Sequence, residues 1–172
     1  YRYIIVGFLI AILLIPMVYN FLPEHAKTRI DVFLNPELDP LGDGYNAIQS
    51  KIAVGAGMLF GTGFLEGSQT QYGYLPVQSS DFIFSVISEE MGFIISALVV
   101  ILYLILLLRI LRTASYAKDK YTSFVAVGIA GMFAFHFIEN IGMSIGLLPI
   151  TGVPLPFVSY GGSSMVTNLI MI

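Results

Sequence analysis

Apolar and polar positions divide the chain into four long apolar stretches, one long polar connection and two short ones. Residues 3–22 carry no charge and are long enough to cross a bilayer core of about 30 Å. Pro16 inside them predicts a kink, which a membrane helix tolerates. Residues 82–108 form a second apolar run, long enough to tilt or to extend beyond the core. Residues 121–148 form a third. A fourth, 157–172, runs to the end of the sequence. No alternating strand pattern competes with these runs, so the fold class is all-α and polytopic, one membrane domain with about four spans.

The 23–80 connection is long and acidic, with Glu24, Asp31, Glu37, Asp39, Asp43 and Glu66 against Lys27, Arg29 and Lys51. Its stretch NPELDPLGDGYN reads as turns. From Asn46 the pattern becomes periodic: Ile48, Ile52, Gly55 and Leu59 follow i, i+4, i+7, i+11, while Gln49, Ser50 and Lys51 lie off that line. This predicts a short amphipathic helix on the membrane interface or dipping into it. Gly55, Gly57, Gly61 and Gly63 follow. Without a preceding strand or a Lys-Ser/Thr pair they are a weak phosphate signal, and tight turns with close backbone packing are the better reading.

Charge orients the chain. The 109–120 linker holds Arg109, Arg112, Lys118 and Lys120 against Asp119, so it is predicted to be cytoplasmic, with the acidic loop and the short 149–156 re-entry outside. Pro149, Pro154 and Pro156 forbid continuous helix in that re-entry. Composition agrees with a membrane protein: 56% of residues are hydrophobic and 11% charged, against about 25% charged in soluble domains. Mean hydropathy is +0.84. The absence of cysteine excludes a thiolate nucleophile or a disulfide framework, and a net charge of −3 excludes a basic nucleic-acid footprint. With apolar runs at both ends, the chain reads as part of a longer polytopic protein.

Candidate chemistry centres on LPVQSSDFIFSVISEEMG. Asp81, Ser85, Ser88 and Gly92 share one helical face, with Asp81 at the outer mouth. Glu89 lies near that face and could line a cavity beneath Asp81; Glu90 points away, toward a neighbouring helix. A carboxylate at such a depth needs a partner or a function, although an acid there is equally a helix cap. In the third span His136, Glu139 and Asn140 share a face. A metal pair would need more carboxylates than this face holds, so hydrogen-bonded glue between helices is the simpler account.

Three segments, DPLGDGYNAIQSKIAVGAGMLFGTG, LPVQSSDFIFSVISEEMGF and ENIGMSIGLLPITGVPLPFVSYGGSS, resemble the SEDS family of RodA, FtsW and SpoVE, with the DPLG and GYN wording closest to RodA. Ser80 departs mildly from a Thr common before the aspartate. The resemblance implies the last four of ten spans of a multi-pass protein of the bacterial cytoplasmic membrane. It implies a peptidoglycan glycosyltransferase that polymerises lipid II into β-1,4 glycan strands in elongation and shape maintenance, working with a class B penicillin-binding protein. Asp81 would then be the catalytic residue. Lys51, Arg29, Gln49 and Glu89 are the substrate-binding candidates, and a divalent cation, magnesium or manganese, is a further expectation at the pyrophosphate. A lipid II flippase and a non-catalytic scaffold for a transpeptidase are the alternatives.

Overall fold

The computed structural model describes residues 19–75 and 77–171. Among these residues every regular element is helical. In chain order they are α1 (Glu24–Leu34), a 3-10 turn (Pro36–Leu38), α2 (Asp43–Ala56), α3 (Ser68–Gln71), α4 (Ile83–Tyr116), α5 (Lys120–Ser144) and α6 (Gly162–Met171). Most of the span expected at 3–22, with Pro16, lies outside the described residues.

Two helices, α4 and α5, are long and apolar enough to cross a membrane. Only 17% of the most apolar window of each is covered by the rest of the chain. A soluble core helix would be covered nearly all round, so these faces need lipid or further helices against them. The helix α4 does not stop at Leu108 as the apolar run suggested. It continues through Arg109 and Arg112 to Tyr116, because this stretch holds good helix formers and neither glycine nor proline. The expected twelve-residue linker thus shrinks to 117–119, which forces α4 and α5 into an antiparallel pair.

The long polar connection contains more helix than its pattern suggested. Pro23 at the N-cap and Glu24 in the first turn start α1. The next helix, α2, begins at Asp43 rather than Asn46, since the Asp39 carboxylate accepts the Asp43 N–H at 2.9 Å and caps it. At the other end of the chain α6 begins at Gly162, not at 157. The non-helical re-entry therefore runs past its expected end at 156. Phe157 there has φ 63°, and a side chain in that left-handed region breaks a helix.

The most unusual packing lies inside α4. Gly92 has φ 76° and ψ −176° and interrupts the helix. Phe93 and Ile94 would normally donate to the carbonyls of Glu89 and Glu90. Instead their N–H groups donate to Met58 and Leu59 at 2.8 and 3.3 Å. The Glu89 and Glu90 carbonyls accept from Thr62 and Gly63 at 2.9 and 3.1 Å. The glycine loop is thus spliced into the helix, and each backbone group freed by the break finds a partner. In an apolar setting such groups cannot remain unpaired. The splice leaves no room for side chains: a Cβ on Gly57 would lie 1.7 Å from the Ser88 carbonyl oxygen.

Across the α4–α5 interface, the re-entry supplies a plug. Leu155 is fully buried with Tyr103 and Phe137, whose rings stack at 5.0 Å. The Tyr103 hydroxyl donates to the Pro156 carbonyl. The proline-rich segment is thereby fixed between the two long helices, beside the start of α4.

Candidate active site

Asp81 sits on the turn that leads into α4. The turn is made by the Ser80 and Asp81 N–H groups, both donating to the Val77 carbonyl. Val77 has φ 51°, an uncommon conformation for a β-branched residue and one that costs on the order of 1–3 kcal/mol. Surrounding contacts hold it there. Ser159 Oγ donates to the Ser80 carbonyl at 2.6 Å and accepts the Leu155 N–H at 2.7 Å. The Tyr160 N–H donates to the Ser79 carbonyl at 2.7 Å. Residues 79 and 80 are thus stitched to the re-entry.

Asp81 itself is held at both ends. Its carbonyl accepts from Asn140 Nδ2 at 2.8 Å, and the same amide nitrogen donates to the Val153 carbonyl at 2.8 Å. Its carboxylate Oδ1 accepts from Ser80 Oγ at 2.7 Å. The helix begins after it, with Phe82 at the N-cap and no side-chain cap bond. So the carboxylate is not spent on capping. Gly152, φ 71°, lies against it: a Cβ there would come within 3.0 Å of Oδ2. The site is a partly exposed carboxylate on a rigid backbone, with a glycine keeping one side clear.

The third-span face, read as interhelical glue, binds the re-entry. His136 Nδ1 lies 3.2 Å from the Pro154 carbonyl, and the Glu139 carboxylate accepts from Thr151 Oγ1 at 2.8 Å. With Asn140 these side chains clamp residues 151–154. The spacing of Asn140 from His136 placed it on this face, but its partners come from distant segments. Replacing it with leucine strands two part-buried carbonyls, those of Asp81 and Val153. Asn140→Leu is expected to lower stability by about 2–4 kcal/mol, which thermal unfolding checks.

The other candidates divide. Lys51 and Arg29 line one pocket together with Asp43, a pairing of two distant positions that spacing could not foresee. The Lys51 side chain lies across the backbone of Gly146. Its helix is pinned by the neighbouring Ser50, whose Oγ bonds Ser85 Oγ at 2.7 Å and the Ser144 carbonyl at 2.8 Å. Ser85 is one turn beyond Asp81, so Lys51 belongs to the same end of the helix pair. Gln49 is on α2 as well but does not line this pocket.

Glu89 does not line a cavity beneath Asp81. Its side chain is fully buried, and its carboxylate is occupied by the Gln69 N–H at 2.7 Å, the Thr70 N–H at 3.0 Å and Thr70 Oγ1 at 2.6 Å. It turns instead to hold residues 69–70 against α4, a better settlement for a buried carboxylate than an open cavity. Glu90 faces the loop side, with Thr70, Gln78 and Ser79. The Ser85, Ser88 and Gly92 stripe is likewise a packing seat for α2 and the glycine loop. Among the described residues no three His, Asp or Glu side chains gather as metal ligands.

Comparison with known proteins gives the same pattern a family. The family model for FtsW, RodA and SpoVE, described as cell cycle protein, matches residues 1–172. The chain is 50% identical over 149 residues to the peptidoglycan glycosyltransferase RodA of Treponema pallidum (strain Nichols), covering 87% of this chain and 34% of that protein. It is 51% identical over 144 residues to the stage V sporulation protein E of Bacillus subtilis (strain 168), covering 84% and 39%. It is 41% identical over 167 residues to the peptidoglycan glycosyltransferase MrdB of Escherichia coli (strain K12), covering 96% and 45%. A chain from a solved peptidoglycan synthase complex that coordinates polymerization and crosslinking superposes with a TM-score of 0.76 at 30% identity, over 99% of this chain and 46% of that one. The chain thus spans less than half the length of these relatives. With a match along its whole length and identities of this size, the chain belongs to the FtsW, RodA and SpoVE family of cell cycle proteins.

Proposed function

We propose that the full protein containing this chain is a peptidoglycan glycosyltransferase of the bacterial cytoplasmic membrane, polymerising lipid II during cell-wall elongation. The observation that carries this is the bracing of Asp81: a carboxylate free of capping duty, on a backbone fixed by Asn140, Ser159 and Tyr160. Relatives named as peptidoglycan glycosyltransferases support it. So does the basic end of the helix pair, with Arg109, Arg112, Lys118 and Lys120. By the positive-inside rule that end is cytoplasmic, leaving the 23–80 loop and Asp81 outside.

The chemistry follows from the substrate. The donor sugar is α-linked to pyrophosphate and the product bond is β, so the reaction is an inverting displacement. The acceptor hydroxyl oxygen attacks the anomeric carbon, and its proton passes to Asp81. The bond to pyrophosphate breaks with its electron pair on the leaving oxygen. Lys51 and Arg29 neutralise that charge as it develops. Asp43 is a carboxylate residue lining this cationic pocket, and magnesium is usually held by one or two carboxylates together with substrate phosphates. One carboxylate beside two cations is not a protein-built metal site, so the displacement is derived without the ion.

The partner in this reading is a class B penicillin-binding protein, in line with the polymerization and crosslinking complex that contains the structural neighbour. The deciding experiment gives purified full-length protein, with its transpeptidase partner, lipid II with and without a divalent cation. Glycan polymer is the expected product. Lipid II crossing vesicles without polymer would establish a flippase instead, and neither outcome would leave a scaffold. Within this assay Lys51→Ala is expected to lower kcat/KM about 100-fold. Unchanged turnover at low substrate would remove Lys51 from the leaving-group role.

A further inference from the structure

Glu89 and Glu90 are neighbours on α4 with opposite fates. Glu89 is fully buried, and its carboxylate accepts three hydrogen bonds. Glu90 is only 7% exposed. Ile83, Val86 and Glu90 are spaced i, i+3, i+7, so they share one face of α4. All three line a cleft of about 360 Å³ together with Thr70, Gln78 and Ser79. The Glu90 side chain therefore points into that cleft. Two donors on the wall are directed elsewhere: Thr70 Oγ1 donates to Glu89 at 2.6 Å and Gln78 Nε2 to the Thr70 carbonyl at 2.8 Å. Among the described residues nothing donates a hydrogen bond to the Glu90 carboxylate, and no lysine or arginine lines its cleft.

Position makes this lone acid costly. Residues 91–108, which follow it, carry no charge. At about 1.5 Å per residue they extend about 27 Å, close to the about 30 Å of a bilayer core. Glu90 thus stands at the outer edge of the hydrocarbon, out of reach of bulk water. A carboxylate there is strongly disfavoured unless a cation meets it. The basic residues of the chain are engaged at other places. Arg29 and Lys51 line a different pocket, Lys27 Nζ donates to the Asn20 carbonyl at 3.2 Å, and Arg109 and Arg112 line a cleft at the far end of α4. A soluble or substrate amine comes and goes, and between visits the acid would be bare. A permanent site of this kind calls for a cation carried by the protein itself. Most of a full-length relative lies beyond the length matched by this chain.

We propose that the Glu90 cleft receives a lysine or arginine side chain of the full protein from beyond the described residues, forming a buried ion pair. The pair would tie that segment to two features of this chain at once. Gln78 and Ser79 on the cleft wall belong to the turn that leads to Asp81, and the Glu90 carbonyl accepts from Gly63 of the glycine splice at 3.1 Å. Nothing in this pairing rests on the glycosyltransferase reading, and stability rather than turnover tests it.

The test measures thermal unfolding of full-length protein in phospholipid nanodiscs. Glu90→Gln keeps the shape of the side chain and removes its charge. With a cation in the cleft, that change strands the partner and is expected to lower the unfolding temperature by about 5 °C or more, and Glu90→Lys by more again. If the carboxylate is bare, the same Gln substitution removes a penalty, so an unchanged or raised unfolding temperature would overturn the proposal. The partner is found by rescue. In the Glu90→Lys background, each lysine and arginine beyond the described residues is changed in turn to glutamate, and one such pair is expected to regain the wild-type unfolding temperature. Rescue by none would overturn the proposal, since Glu90 would then be serving neutral donors. Wild-type protein dialysed free of amines and then stabilised by methylammonium would assign the cleft to a soluble amine and overturn it too. If Glu90→Lys yields no folded protein alone, recovery of folded protein in the paired variants serves as the same readout.

Discussion

Asp81→Asn in the full-length protein is expected to lower glycan polymerisation about 10²–10⁴-fold, the usual worth of a general base, while expression and partner binding persist. The substitution is nearly isosteric, and the main restraints on this position act through backbone. Asn140 holds the residue 81 carbonyl, and Ser159 holds that of Ser80. The remaining side-chain bond, Ser80 Oγ to Oδ1 at 2.7 Å, can be accepted by an amide oxygen as well. What asparagine cannot do is take a proton from the acceptor hydroxyl. A folded, partner-bound and inactive variant is therefore the specific outcome. Near-normal polymer length and rate would remove the base from Asp81, and a helix-cap account of this residue would then also lack the cap bond it needs.

Gly92→Ala is expected to be among the most damaging single methyls that can be added to the described residues. The backbone there, φ 76° and ψ −176°, belongs to a region open essentially to glycine alone. A Cβ would lie 2.3 Å from the Gly61 nitrogen, 2.6 Å from the Phe60 carbonyl carbon and 2.7 Å from the Leu59 carbonyl oxygen. All three are backbone atoms of the spliced loop and cannot swing aside. Relief requires the loop to leave, which would unpair the four backbone hydrogen bonds that join residues 58–63 to residues 89–94. A loss of more than about 3 kcal/mol is expected, seen as poor recovery of monodisperse full-length protein and a lower unfolding temperature. Wild-type stability in this variant would mean that the splice is dispensable.

The glycines illustrate how far sequence reading reached. Turns and close packing were legible at Gly55–Gly63 because glycine has so few other uses. Gly92 was legible only as one member of a small-residue stripe. That a loop from thirty residues earlier replaces its helix hydrogen bonds is a pairing of two distant backbones, and backbone pairing has no side-chain pattern to announce it. The two acids after Ser88 show the same limit. Helical spacing set their faces apart, but it carried Glu89 toward a cavity, whereas Gln69 and Thr70 take up its carboxylate.

Hydrophobic periodicity and charge by themselves determined the helical class, the long apolar runs that became α4 and α5, the position of Asp81 at their start, and Lys51 on an amphipathic helix. These are local properties: a run of apolar residues must be buried or meet lipid, and its backbone must pair within itself, whatever surrounds it. Tertiary structure alone decided that Asn140 and Ser159 hold the turn of Asp81, that Arg29 joins Lys51, and that Glu89 serves the loop. Each of these depends on contacts between residues far apart in sequence, where geometry, and not residue type or spacing, chooses the partner.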